Sequence, residues 1–451
     1  MDAADKHLDA LKSEGDINLT PARKAWSEEN IDAETRKWLD LDAKYFLHQA
    51  LSTPCLDVLK SCEGAEITNL RGRAVLDFHG NNVHQVGFGN PEVIDAICAQ
   101  IRELSFCTRR YTNIPAIELA RKLTELAPGD LNKVLFAPGG TSAIGMAIKL
   151  ARVATGRHKT ISMWESFHGA SLDAISVGGE RAFREGIGPL LPGCEHVPPP
   201  DPRHCPWHCE KTCQLHCADY IEYVLEKEGD VAAVIAETVR CTPFIPPPDY
   251  WKRVRAACDK HGALLILDEI PTCLGRTGKM FVCEHYGIVP DMLVIGKGLG
   301  GGIFPLAALI AREGLDRAGT KSLGHYTHEK NPVACVAGLA TINFIEKSNL
   351  LRHVVELGEY TMDRLRAMAK DFPIIGDVRG IGLLLGVELI RNGQRATTEA
   401  ERVMYSALTR GLNFKITMGN ILTLTPALTI TREEMDRALG ILAECFAEVS
   451  A

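Results

Sequence analysis

Residues 295–302, IGKGLGGG, are the most informative part of this sequence, because Lys297 follows an apolar run there and opens a glycine-rich turn. Upstream, Asp268 ends a second apolar run, residues 263–268, ALLILD. Short apolar runs separated by helical periods predict the buried strands of a mostly parallel sheet. Ligands of such sheets bind at the carboxyl ends of the strands, so the amine of Lys297 and the carboxylate of Asp268 are expected in one crevice.

An amine and a carboxylate placed in this way suit one cofactor, pyridoxal 5′-phosphate (PLP). The lysine would bind the cofactor aldehyde, and the aspartate would keep the pyridine nitrogen protonated so that the ring accepts electrons. A single loop lysine is usually a solvated surface residue, and other segments must therefore support the cofactor. Glu237 follows a further apolar run, residues 231–236, so a third strand end is expected in the same crevice.

Two more segments follow predicted strands and suit parts of this cofactor. Residues 136–143, FAPGGTSA, open a helix whose backbone N–H groups and dipole, with the hydroxyls of Thr141 and Ser142, could bind a phosphate. The same pattern also fits an ordinary helix N-cap. In residues 164–169, WESFHG, the ring of Phe167 could stack on the cofactor or belong to the core.

These motifs, in their order and spacing, resemble the signature of the class III aminotransferases. The resemblance is densest in residues 264–279, LLILDEIPTCLGRTGK, and in 296–302, and it extends from about residue 66 to the C terminus. It implies an α/β architecture, PLP fold type I, with a mostly parallel central sheet flanked by helices. It also implies a smaller α+β domain formed by the N- and C-terminal segments.

The same resemblance assigns roles to individual residues. Lys297 becomes the lysine that binds the cofactor, and Asp268 the partner of the pyridine nitrogen. The other implied cofactor contacts are Gly140, Thr141 and Ser142 at the phosphate, Phe167 above the ring, Ile270 below it, Glu237, and Thr327, which reaches a phosphate of the neighbouring subunit. Sites of that kind are shared between subunits, so a homodimer is implied.

We expect three regions along the chain. Residues 1–65 form a helical segment, 66–335 the large PLP-binding domain with an insert near 198–217, and 336–451 the small C-terminal domain. Residues 66–78 have the pattern of a hairpin that turns at Arg71-Gly72-Arg73.

The composition excludes several classes of function. A chain of 451 residues with 46% hydrophobic and 24% charged residues is typical of a globular protein. Its net charge of −7 and lack of a long basic run give no reason to expect a nucleic-acid partner. It has no apolar stretch of membrane-spanning length and no signal pattern at the start, so we expect a cytoplasmic protein with reduced cysteines.

Four polar residues, some of which depart from the family pattern, are candidates for binding the substrate. Arg109 and Arg110 occupy a region that lies near the active-site entrance in relatives, where they could bind an anionic group, although paired arginines are more often solvated. Arg379 matches an arginine that commonly binds a substrate carboxylate. Asn82 lies in a segment, residues 78–84, that is polar here and apolar in many relatives.

These features are most similar to the branch of the family that acts on small amino-phosphonates. We therefore predict a PLP-dependent ammonia-lyase of phosphonate breakdown, which converts (R)-1-hydroxy-2-aminoethylphosphonate to phosphonoacetaldehyde and ammonia. The alternatives are an ω-aminotransferase, a phospho-lyase acting on phosphoethanolamine-like amines, and a PLP-fold protein without catalysis. The acid that assists departure of the hydroxyl stays open, with His84 and His328 as candidates.

Residues 204–217 contain four cysteines at a four-residue spacing, Cys205, Cys209, Cys213 and Cys217. Four thiols can bind zinc in a tetrahedron. Zinc sites usually combine a close pair with a second, distant pair, which this cluster lacks. A surface insert with free thiols, or one that forms disulfides on oxidation, is the more ordinary explanation.

Overall fold

The computed structural model describes residues 18–209 and 213–450. These residues form two units. One consists of residues up to Asn90 together with those from Arg352 onward, and the other of Pro91–Leu351.

The helices are α1 Pro21–Asn30, α2 Ala33–Tyr45, α3 Pro91–Glu103, α4 Ile114–Leu126, α5 Gly140–Thr155, α6 Leu172–Val177, α7 Arg181–Arg184, α8 His216–Glu228, α9 Tyr250–His261, α10 Pro332–Lys347, α11 Leu350–Asp371, α12 Thr397–Arg410 and α13 Arg432–Ser450. Across the described part of the chain, no helix is both long and apolar enough to cross a membrane.

The strands are β1 Leu59–Glu63, β2 Glu66–Asn69, β3 Ala74–Asp77, β4 Leu131–Ala137, β5 Lys159–Met163, β6 Cys194–Val197, β7 Val231–Glu237, β8 Leu264–Asp268, β9 Met292–Ile295, β10 Ala307–Arg312, β11 Ile375–Ile381, β12 Leu384–Arg391, β13 Gln394–Arg395, β14 Leu412–Asn413, β15 Lys415–Thr417 and β16 Ile421–Leu424.

The unit Pro91–Leu351 is built on a seven-stranded sheet in the order β4-β10-β9-β8-β7-β5-β6. Only β10 runs antiparallel to its neighbours, so the predicted mostly parallel sheet is confirmed. Every residue of β7, VAAVIAE, is buried, as expected for a strand covered on both faces. Helix α5 packs on this sheet, and its Ile144 and Ala147 share a core with Ile235, Ile266 and Val294.

The other unit joins the two ends of the chain, as predicted for the smaller domain. Strands β1, β2 and β3 form an antiparallel meander, and β14 adds to β3 in parallel. The predicted hairpin is confirmed, because β2 and β3 pair on either side of a turn in which Gly72 has φ +81°. A second sheet has the order β11-β12-β16-β15, with β13 paired to β12.

The unit boundaries differ from those predicted at residues 65/66 and 335/336. Residues 66–90 belong with the C-terminal part, because β3 pairs with Leu412–Asn413. Residues 336–351 belong with the larger unit, because α10 packs against α3 and α4. Pairing between distant segments, which single-sequence patterns do not reveal, places both boundaries.

Candidate active site

Three strand ends bring the predicted residues to one edge of the seven-stranded sheet. Asp268, the last residue of β8, is in register with Glu237 of β7 and Val294 of β9. Asp268 is only 2% exposed. Lys297 is half-buried and begins a short 3₁₀ turn just beyond β9, with a positive φ of +47°. A non-glycine residue held in this region is a strained conformation of the kind found at functional sites.

The carboxylate of Asp268 is held from two directions. Its Oδ2 lies 2.8 Å from Nδ1 of His168, and its Oδ1 accepts the N–H of Ile270 at 3.1 Å. His168 is also buried, and its Nε2 lies 3.5 Å from Oγ of Ser162. Because each oxygen has a hydrogen-bond partner, the carboxylate of Asp268 is held in one orientation.

His168 was quoted in the motif at residues 164–169 but received no role from the sequence. Its contact with Asp268 crosses one hundred positions of the chain. The available signal is a histidine following an aromatic residue after a strand, and that pattern alone does not reveal its partner.

The N terminus of α5 has the shape of a phosphate cradle. The helix begins at Gly140, and its N-cap residue is Gly139. Because glycine has no side chain, the N–H groups of the first turn have no side-chain cap. Gly169 has φ +123°, and a Cβ there would fall 1.9 Å from Oγ1 of Thr141. The same Thr141 oxygen accepts the N–H of Ala170 at 3.3 Å. Bare backbone and a hydroxyl at a helix N terminus are the donors that a phosphate needs.

Ile270 and Phe167 are the residues predicted to contact the two faces of the ring. A Cβ on Gly140 would lie 2.7 Å from Cδ1 of Ile270, and one on Gly296 would lie 3.4 Å from its Cγ2. Ile270 therefore packs between the phosphate loop and the turn that carries Lys297. The ring of Phe167 is 37% exposed and packs on Phe183, with 4.4 Å between centroids.

A buried ionic cluster of Glu237, Arg240 and Glu180 holds the backbone of Phe167. Oε1 of Glu237 accepts the backbone N–H of Phe167 at 3.1 Å. Nη2 of Arg240 lies 3.1 Å from Oε2 of Glu180, and its Nε lies 3.8 Å from Oε1 of Glu237. Burial raises the pKa of Glu237, while the charge of Arg240 opposes that rise. Arg240 and Glu180 were not predicted from the sequence.

The predicted arginines of the larger unit differ in their surroundings. Arg109 donates from Nε to Oε1 of Glu329 at 3.1 Å and from Nη2 to the carbonyl of Tyr326 at 3.2 Å. It therefore ties down the loop that carries Thr327, which is itself exposed. Arg110 is also exposed, and within the described residues it makes no hydrogen bond or ion pair.

Three predicted residues lie in the other unit. Nη1 of Arg379 donates to Oδ2 of Asp377 and to Oε2 of Glu388, both at 2.6 Å. Asn82 is 7% exposed, and its Oδ1 has no hydrogen-bond partner among the described residues. The ring of His84 is buried and stacks on Phe88.

The cysteine segment shows no metal centre in its described part. Residues 18–209 and 213–450 contain no group of three or more His, Cys, Asp or Glu side chains placed to hold a metal ion. Burial, with smaller effects of Cys213 and Cys205, raises the pKa of Cys217 to about 12. Residues 210–212 lie outside the described residues, and the metal site considered from the sequence stays a prediction.

The donor set fits PLP. A buried carboxylate suits the pyridine nitrogen, a helix N terminus suits the phosphate, two apolar side chains suit the ring faces, and a lysine suits the aldehyde. Fold and site together define a PLP-dependent enzyme of fold type I. A family model described as Aminotransferase class-III matches residues 48–446. The chain belongs to the class III aminotransferase family, and its cofactor is PLP.

Three individual proteins show how similar the chain is to known members of the family. The chain is 49% identical to the (R)-1-hydroxy-2-aminoethylphosphonate ammonia-lyase of Vibrio splendidus, over 97% of this chain and 96% of that protein. It is 36% identical to the leucine/methionine racemase of Thermococcus litoralis, over 87% and 91% of the two chains. A solved amine transaminase from an uncultivated Pseudomonas species, in its PLP-bound form, matches with a TM-score of 0.83 at 29% identity, over 90% of this chain and 98% of that one.

Proposed function

We propose that this protein is a PLP-dependent ammonia-lyase that converts (R)-1-hydroxy-2-aminoethylphosphonate to phosphonoacetaldehyde and ammonia. The observation that carries the proposal is the 49% identity, over nearly the whole chain, to the Vibrio splendidus enzyme of that name. The strand-end site supports it, because it brings Lys297 and the pair Asp268 and His168 to one edge of the sheet.

In the proposed reaction, Lys297, Asp268 and His168 have different roles. Bound PLP would supply an electron sink for the carbon that bears the substrate nitrogen. Nζ of Lys297 takes a proton from that carbon and gives it to the departing hydroxyl, which leaves as water. Asp268, oriented by His168, keeps the proton on the pyridine nitrogen. The released enamine takes up water and yields phosphonoacetaldehyde and ammonia, so the overall reaction needs no keto acid.

The phosphonate requires a separate cation. Of the two adjacent arginines, Arg110 is the better candidate, because the donors of Arg109 already hold the loop of Thr327. A guanidinium matches the oxygens of a phosphonate and forms charge-assisted hydrogen bonds with them. Arg379 and Asn82 stay candidates for the same substrate, although Arg379 is already paired with two carboxylates.

We further propose a cytoplasmic homodimer with shared active sites. The exposure of Thr327 supports this, since a threonine that serves a neighbouring subunit must lie at the surface of its own chain. Mixing inactive Lys297→Ala chains with Thr327→Ala chains should then restore part of the activity through hybrid dimers that contain one intact site. Additive residual activities with no recovery would contradict shared sites.

An acceptor-free assay tests the activity. Holoenzyme mixed with (R)-1-hydroxy-2-aminoethylphosphonate and no keto acid should release ammonia over many turnovers. One equivalent of aminated cofactor followed by arrest would indicate an aminotransferase instead. Phosphoethanolamine serves as the parallel substrate, and release of inorganic phosphate from it would indicate a phospho-lyase.

A further inference from the structure

Phe167 lies in a loop that contacts two parts of the predicted cofactor site. The next residue, His168, contacts the carboxylate of Asp268 at 2.8 Å. The residue after it, Gly169, has φ +123°, and a Cβ there would collide with Oγ1 of Thr141 in the phosphate cradle. The chain that follows Phe167 is therefore placed against both the carboxylate and the cradle. These contacts fix its backbone, and a separate contact orients its ring.

The ring of Phe167 packs on the ring of Phe183. The two ring centroids are 4.4 Å apart, and the ring planes are tilted by 41°. Phe183 is half-buried and lies on the short helix α7. Aromatic pairs at this distance are favourable contacts with preferred geometries. Phe183 therefore limits the orientations that the ring of Phe167 can adopt.

The segment that carries Phe183, residues 178–184, packs closely on the loop of Phe167. The N–H of Gly179 donates to the carbonyl of Ser166 at 2.9 Å. A Cβ on Gly179 would collide with backbone atoms of the same loop, so a residue with a side chain would push the two backbones apart. The segment 178–184 therefore has a fixed position on this loop.

Two charged side chains of the same segment anchor it to its surroundings. Nη1 of Arg184 lies 2.8 Å from Nε2 of His196 in β6, and its guanidinium lies 5.5 Å from the centre of the Trp164 ring. Glu180 is buried and accepts from Nη2 of Arg240 at 3.1 Å. These anchors lie on both sides of residue 183 along the chain, so its ring is itself held in place.

We propose that Phe183 is a positioning residue that orients the ring of Phe167 for contact with the cofactor. The inference rests on the part of the proposed function that places PLP between Phe167 and Ile270. A ring fixed on one face would limit tilting of the cofactor relative to Nζ of Lys297, which takes the substrate proton. Phe183 acts only through Phe167.

Two substitutions separate the aromatic ring of Phe183 from the rest of the chain. Phe183→Ala removes the ring, and Phe183→Tyr keeps it. In the alanine variant, the dissociation constant of PLP titrated into apoenzyme should rise about five- to tenfold, and the visible circular dichroism of bound PLP should weaken. The kcat for ammonia release should fall by a similar factor, with KM changed less than about twofold. The tyrosine variant should stay within about twofold of wild type in each property.

Phe372→Ala is the matched control. Phe372 is also half-buried, and it packs on Phe446 with ring planes tilted by 48°, in the smaller unit. This variant should lose thermal stability and keep the PLP dissociation constant, the dichroism and kcat of wild type. Losses of PLP affinity and kcat equal to those of Phe183→Ala would show a general effect of an unpacked ring and overturn the role of Phe183.

A double substitution tests whether Phe183 acts through Phe167. Phe167→Ala alone should weaken PLP binding and lower kcat at least as much as Phe183→Ala. In the Phe167→Ala background, Phe183→Ala should add less than about a twofold change. Independent losses that multiply, or wild-type PLP affinity and dichroism in Phe183→Ala, would overturn the proposal.

The proposed function can fail separately. If wild-type enzyme releases no ammonia from (R)-1-hydroxy-2-aminoethylphosphonate, the ammonia-lyase activity is wrong. Titration of PLP into apoenzyme and visible dichroism require no substrate, so they still decide the role of Phe183. Unchanged PLP binding and dichroism in Phe167→Ala would show instead that this ring does not contact the cofactor, and the inference would fall.

Discussion

Two regions of the larger unit are built in opposite ways. At the strand ends, Asp268 and His168 are both buried and 2.8 Å apart, and Ile270 packs tightly between two glycine turns. By contrast, Thr327 is exposed, and so are Arg109, which holds its loop, and the neighbouring Arg110. The predicted cofactor contacts are thus preorganised by the core, whereas the substrate and partner candidates of this unit lie at the surface. Substitutions at the strand ends should therefore have larger effects than those of the exposed arginines.

The largest effect is expected at Lys297. Lys297→Ala removes both the covalent attachment of PLP and the base that moves the substrate proton. Ammonia release should fall on the order of 10⁴-fold or more, and PLP should be lost on gel filtration. Lys321→Ala, at an exposed position, is the control, and a Lys297→Ala enzyme with substantial turnover would contradict the mechanism.

Asp268→Asn should come next. An amide cannot hold the pyridine proton as a carboxylate does, so the electron sink weakens while the shape of the site is kept. We expect kcat to fall about 10²- to 10⁴-fold with PLP still bound, measured by ammonia release and by cofactor absorbance. Asp363→Asn on α11 is the exposed counterpart. An unchanged kcat would show that the carboxylate is only structural.

A smaller loss is expected at His168. His168→Ala leaves Asp268 buried without its partner, so kcat should fall about tenfold to 10²-fold, and PLP should dissociate more readily. His168→Asn, which retains a donor, should recover part of both properties. If kcat and the PLP dissociation constant are unchanged in the alanine variant, the contact does not support the cofactor.

The smallest effects are expected at Arg109 and Arg110, and substitutions of the two should have different consequences. Arg110→Ala should raise KM for phosphonate substrates about tenfold, without a similar change for an uncharged amine. Arg109→Ala should instead disturb the loop of Thr327 and weaken the dimer, measured by sedimentation. Equal KM effects on charged and uncharged amines would remove Arg110 from phosphonate recognition.

The same contrast explains what the sequence could predict. Lys297, Asp268 and the sheet were predictable because each strand end is a local pattern, an apolar run followed by a polar residue. His168 and Arg240 were not, since their roles depend on partners 100 and 60 positions away. The contact of Arg109 with Glu329, 220 residues further along the chain, was likewise not predictable from a local pattern.

The role of Lys297 is tested best by locating the covalently bound cofactor. Holoenzyme is reduced with borohydride and digested, and the peptides are identified by mass spectrometry. A phosphopyridoxyl group on the peptide that contains Lys297, and its absence from the Lys297→Ala protein treated in the same way, is the predicted result. Modification of another lysine, or no modification in protein saturated with PLP, would contradict the account.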